Sequence, residues 1–145
     1  MRGPSAVESY FGETNSATDE DGWFDTGDLA MIDSDGNLAI TGRAKDLIKS
    51  GGEWINPSEI ETIVGSLPAV ALVAAIGRAH PKWGERPVVI IETRSGHEIT
   101  DGDIKAALEG RVATWWMPDE IVRVLKMPLA FTGKIDKVRL RAEHG

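Results

Sequence analysis

Lys134 lies between a glycine and the expected start of a helix, in Thr132-Gly133-Lys134-Ile135-Asp136-Lys137. A lysine at the tip of a loop is a mobile point charge suited to a phosphate or a developing oxyanion. The segment is not a P-loop: G-x-x-x-x-G-K-[ST] is incomplete, and Ile135 offers no hydroxyl to Mg²⁺. A second constellation is Gly22-Trp23-Phe24-Asp25-Thr26-Gly27-Asp28-Leu29. Gly27 lets backbone approach a ligand beside Asp28, and a carboxylate so placed can accept from both hydroxyls of a ribose. A polar turn leading into a strand accounts for the same residues, and from local chemistry it is the commoner case. The third runs Gly42-Arg43-Ala44-Lys45-Asp46-Leu47-Ile48-Lys49-Ser50-Gly51-Gly52-Glu53-Trp54-Ile55. Arg43, Lys45 and Lys49 suit a phosphate-rich ligand, and Gly51-Gly52 forms a flexible turn. A hairpin with solvated lysines explains the same pattern, and from local chemistry it is the commoner case.

These residues need a scaffold, and the sequence specifies one. Leu29–Asp33 and Asn37–Thr41 flank Ser34-Asp35-Gly36, a β-hairpin signal. Asn56-Pro57-Ser58-Glu59 opens a helix: Asn56 caps, Pro57 takes the first helical position, and Glu59 completes a capping box. Ile60, Ile63, Val64 and Leu67 then share one face, and Pro68 marks its end. Ala69–Ile76, Pro87–Thr93 and Pro118–Val124 read as strands. Thr100 caps a second helix with Ile104, Ala107, Leu108 and Val112 inward, and Lys134–Arg141 reads as a final helix. The expected fold is α+β: a small three-stranded sheet with packed helices, preceded by a β-hairpin segment.

Composition narrows the classes. Over 145 residues, 41% are hydrophobic and 27% charged, a globular balance. No apolar run is long enough for a membrane span, and no secretory leader is evident, which fits a cytoplasmic protein. The absence of cysteine removes disulfides and thiolate chemistry. His80, His97 and His144 lack metal-ligand spacing, so no metal site is expected. Residues 1–42 carry one basic and nine acidic side chains; residues 43–145 carry 15 and 14. That break suggests two parts, and the net charge of −7 disfavours nucleic-acid binding. Trp115-Trp116-Met117 and Pro81-Lys82-Trp83 read as packing residues.

The three constellations, taken in order and at their spacing, resemble the adenylate-forming (AMP-binding) enzymes: acyl-CoA synthetases, luciferases and adenylation domains. The phrases are GWFDTGDL, then GRAKDLIKSGGEWINPSEIE, then TGKI, with Arg2-Gly3-Pro4 and Tyr10 upstream. Gly51-Gly52-Glu53-Trp54 resembles fatty-acyl-CoA synthetases more than amino-acid-activating domains. The resemblance implies that residues 1–42 are the end of a large N-terminal domain and residues 43–145 a C-terminal lid. It implies ATP, AMP and CoA as substrates or products and a fatty or aryl acid as the third reactant. Mg²⁺ would enter with ATP and be held mainly through the larger domain. By residue, it implies a catalytic role for Lys134, nucleotide binding for Asp28 and Arg43, and a hinge at Lys45. Lys49, Gly51, Gly52 and Trp54 would form the loop facing CoA. Leu129-Ala130-Phe131 replaces the polar Arg-Thr-Ala common before the lysine turn. The family's Gly- and Ser/Thr-rich phosphate loop and acyl pocket are missing from these 145 residues, so the chain alone is expected not to adenylate. Residues 1–42 are expected to be mobile or to pair with a second copy as a homodimer. Other classes remain open: a stand-alone nucleotide- or CoA-binding module without catalysis, an interaction domain, or the lid of an adenylation domain that loads a carrier protein.

Overall fold

A computed structural model describes all residues from Met1 to Gly145, which divide into two compact units, Met1–Lys45 and Asp46–Gly145. The first contains an antiparallel hairpin of β1 (Asp28–Ile32) and β2 (Leu38–Arg43). Its turn is fixed by Asp33, whose Oδ1 accepts from the Asn37 and Asp35 amides at 2.8 and 2.9 Å. Gly36 supplies the positive φ of +84° that this turn requires.

The second unit is built on one mixed sheet. Its longest strands, β5 (Val70–His80) and β6 (Gly84–Thr93), pair antiparallel along nearly their whole length. That pairing occupies one edge of β6. The other edge takes β7 (Glu120–Arg123), parallel over Val88–Ile91, and meets β3 (Ile48–Ser50) at Ser50 and Gly84. β3 in turn pairs with β4 (Glu53–Ile55). The three expected strands therefore form the centre, and two short strands extend the sheet to five. The parallel pair needs a crossover, which α2 (Asp101–Leu108) provides.

Successive residues of β6 face opposite sides, and both sides are buried. Val89 and Ile91 join Ile48, Ile55 and Ile121 beneath α1 (Pro57–Gly65) and α2, through Ile60, Ile63, Val64, Ile104 and Leu108. Val88 and Ile90 join Ala74, Ile76 and Met127 beneath Leu140 of α3 (Lys137–His144). The unbroken apolar run in the sequence reflects this double burial. Both expected caps are present. Asn56 Oδ1 accepts from the Ser58 amide at 3.1 Å, and Thr100 with Asp103 forms a reciprocal capping box. Threonine donation holds the Asp103 carboxyl below its ordinary value.

The last helix differs from the sequence reading. It starts at Lys137 rather than Lys134, because Asp136 is its N-cap, accepting from the Arg139 amide at 3.0 Å. Lys134 therefore stands outside the helix, on a tight hairpin-like turn. Leu129 and Ile135 bridge antiparallel at its base.

Candidate functional site

The lysine turn is rigid at its base and open at its tip. The Ala130 amide donates to the Lys134 carbonyl at 2.8 Å, Gly133 N donates to Ala130 O at 2.9 Å, and Asp136 N donates to Pro128 O at 2.9 Å. Gly133 has φ +80°, a conformation the turn needs and glycine adopts without cost. Below the turn, Met127 is buried, and its amide donates to Glu92 Oε2 at 2.6 Å. Ile135 packs on the α3 side of the sheet. Phe131 and Lys134 at the tip are exposed, and the Lys134 ammonium makes no ion pair. Such an ammonium is free to meet an anion without first breaking a bond.

In the first unit, Asp28 and Arg43 face each other across the hairpin as register partners. Arg43 Nε lies 2.9 Å from Asp28 Oδ1, and Arg43 Nη1 donates to the Thr26 carbonyl at 3.2 Å. Gly27, with φ +64°, turns the chain into β1, while the Asp25 and Thr26 side chains accept from the Gly27 and Asp28 amides. Asp28 is thus held through one oxygen by a partly exposed guanidinium. Its other oxygen is available for a hydroxyl donor. Lys45 is exposed in the short 3-10 turn Ala44–Asp46, and the division between the two units falls directly after it.

The basic segment continues into the β3–β4 hairpin. Lys49 and Trp54 are cross-strand partners, with the Lys49 ammonium 5.4 Å from the indole centroid. Gly51 and Gly52 form the turn at φ +61° and +91°. Gly51 N donates to Trp83 O at 2.7 Å, and a Cβ on Gly51 would sit 3.0 Å from Trp83 Cε3. Glycine is needed there both for its φ and for close approach to a ring.

The structure brings Asp28 to Arg43, and Lys49 to Trp54. It places Lys134 on a separate turn. It also reveals residues that the sequence reading assigned to packing. Trp116 and Met117 do pack on the core, but Trp83 and Trp115 are about half exposed. They line an open cavity of about 380 Å³ with Ser50, Gly51, Glu53, Arg86 and Asp119. Arg86 organises its wall: Nε and Nη2 bind Asp119 Oδ1 at 3.0 and 2.9 Å, Nη1 donates to Ser50 Oγ and Trp115 O, and Nη2 to Met117 O. No local motif marks these residues; only the fold brings Trp83 and Trp115 to one turn. No group of three or more His, Asp or Glu side chains is arranged to hold a metal ion, and no helix is long and apolar enough to cross a membrane.

Comparison with known proteins connects these features. The profile of the AMP-binding enzyme C-terminal domain matches residues 59–134. A 3-methylmercaptopropionyl-CoA ligase of Ruegeria lacuscaerulensis is 42% identical over 143 residues, covering 99% of this chain and 26% of that protein. A medium-chain-fatty-acid–CoA ligase of Ectopseudomonas oleovorans is 44% identical over 144 residues, with the same coverage. Among solved structures, o-succinylbenzoate CoA synthetase from Bacillus subtilis, in complex with the acyl-adenylate intermediate OSB-AMP, superposes with a TM-score of 0.87 at 32% identity. That match covers 97% of this chain and 29% of the synthetase. The chain thus spans about a quarter of the length of the curated relatives it matches.

Proposed function

The chain belongs to the AMP-binding enzyme C-terminal domain family, and on that premise we propose that it is the C-terminal portion of an ATP-dependent acyl-CoA ligase. In this reading residues 1–42 complete a larger nucleotide-binding domain, and the remainder is the lid that turns over it. The observation that carries the reading is the unpaired Lys134 ammonium on a turn anchored to the sheet through Met127 and Ile135.

The reaction has two steps. A carboxylate oxygen of the acid attacks the α-phosphorus of ATP, the bond to the β-phosphate breaks, and pyrophosphate leaves. The thiolate of CoA then attacks the acyl carbon of the adenylate, the bond to the phosphate oxygen breaks, and AMP leaves. Both reactants of the first step are anions. Lys134 offsets their repulsion, and because its ammonium has no carboxylate partner, its full charge is available. Asp28, held on one oxygen by Arg43, accepts from a ribose hydroxyl through the other. Arg43 stays exposed enough to reach a phosphate.

Lys45, exposed at the junction of the two units, is the hinge. After rotation, Lys49, Gly51, Gly52 and Trp54 face CoA. The positive-φ turn presents backbone rather than side chains to the pantetheine arm, and the cavity beside Gly51 gives that face room. Mg²⁺ would accompany ATP and be held mainly through the larger domain. The acid is a fatty or aryl carboxylic acid, the kinds named for the medium-chain-fatty-acid and o-succinylbenzoate relatives.

The test is to assay the intact polypeptide that carries this chain beside residues 1–145 alone. The intact ligase should release AMP and pyrophosphate with dependence on ATP, an acid and CoA. The 145-residue chain should catalyse no acid-dependent pyrophosphate exchange. Exchange by the short chain, or no acid-dependent chemistry by the intact one, would overturn the reading.

A further inference from the structure

We propose that Arg141 is a positioning residue for Lys134, acting through Asp46 to fix the point about which the lid turns; this rests on reading the chain as the lid of a ligase. Arg141 Nη2 lies 2.8 Å from Asp46 Oδ1. The side chains are 33% and 17% exposed, against 64% and 44% for the neighbouring pair Arg139–Glu143, so the Arg141 pair is shielded where its neighbour is solvated. It joins positions 95 residues apart. Asp46 immediately follows Lys45, and the two compact units divide between them.

α3 is therefore engaged both at its start and at its middle. At its start, Asp136 caps the helix and closes the turn that carries Lys134. One turn further on, about 6 Å along the axis at helical rise, Arg141 holds the first residue after the hinge. A single short helix connects the pivot to the catalytic arm.

The ion pair is not what seats α3. Leu140 is fully buried, and Lys137 Nζ lies 2.7 Å from Glu61 Oε1, which also accepts from the Ala75 amide at 2.7 Å. Removing the Arg141 charge leaves these contacts in place and cuts only the tie to Asp46. Released, Asp46 turns to water, and rotation is no longer confined to one peptide. A sharp pivot delivers the lysine to the same point on every closure. A diffuse one scatters it, and rates fall steeply with misplacement of a catalytic group.

Two measurements test this. In the intact ligase, Arg141→Gln should lower kcat of acid-dependent pyrophosphate exchange by about ten- to a hundredfold. KM for ATP and thermal stability should stay at the wild-type level, and Arg141→Lys should recover most of the rate. In the 145-residue chain, Arg141→Gln should accelerate amide hydrogen exchange at residues 44–48 while β5 and β6 stay protected. A wild-type exchange rate at residues 44–48 refutes the tie, whatever the intact protein catalyses. Faster amide exchange with an unchanged kcat refutes the positioning role. So does a loss of kcat that tracks a falling melting temperature and is not recovered by lysine. If the wild-type intact protein forms no acyl-adenylate, the functional reading fails and the positioning role fails with it.

Discussion

Replacing Gly51 with asparagine separates two demands made on the β3–β4 turn. The backbone there has φ +61°, in the left-handed region that asparagine tolerates better than other non-glycine residues. Conformational strain is therefore small in this variant. The remaining obstacle is Trp83, since a Cβ at residue 51 would lie 3.0 Å from Cε3 and 3.4 Å from Cζ3. Relief requires the indole to swing by a few tenths of an ångström, and a comparable departure from a rotamer well costs about 1 kcal/mol. Trp83 is partly exposed, so it can yield without disturbing the core. The assay is a denaturant-unfolding cycle on the wild-type chain, Gly51→Asn, Trp83→Ala and the double variant. Gly51→Asn should cost about 1 kcal/mol in the wild-type background and almost nothing once Trp83 is alanine, a coupling of the size expected for touching residues. An equal cost in both backgrounds would show that the backbone alone sets the penalty, and the close-approach argument would fail.

Ile60→Ala should destabilise the chain by about 2–5 kcal/mol, because Ile60 is fully buried on the inner face of α1, whereas Phe131→Ala at a fully exposed tip should fall within about 0.5 kcal/mol, both read by thermal or denaturant unfolding. The capping box of α2 predicts a pH effect of definite sign. The Asp103 carboxyl is held below its ordinary value of 3.8, first by the side-chain hydrogen bond from Thr100 and then by the Thr100 amide. Its contribution is therefore fully present above pH 3.8 and is lost as pH falls through the lower folded-state value. Asp103→Asn should flatten that part of the stability profile measured by acid titration, and an unchanged slope below pH 3.8 would remove the cap from the explanation.

Much of the fold was legible because local chemistry and global packing agree. Asn56-Pro57 and Thr100 with Asp103 marked helix starts that the structure retains. Ser34-Asp35-Gly36 marked a turn that Asp33 closes. Other parts depend on distant partners. β3 and β4 are three residues each, too short for a periodicity signal, and their place in the sheet rests on the meeting of Ser50 with Gly84. β5 runs on to His80 and β6 begins at Gly84, because the polar Arg78, Glu85 and Arg86 find partners in Glu120, the Lys49 amide and Asp119. Asp136 looked like part of the first turn of a helix and is instead its cap. At the site, the pairing of Asp28 with Arg43 follows from hairpin register. The cavity between Trp83 and Trp115 does not, because it depends on Arg86 gathering carbonyls from a segment 29 residues away.

Lys134→Ala in the intact polypeptide that carries this chain tests the proposed adenylation role of the lysine most directly. Acid-dependent pyrophosphate exchange should fall by roughly 10²–10³, the loss typical of one missing electrostatic donor. Thioester formation from supplied acyl-adenylate and CoA should persist, since in the proposed mechanism the lysine serves only the step in which two anions must meet. Equal loss in both steps, or no loss in the first, would contradict the account.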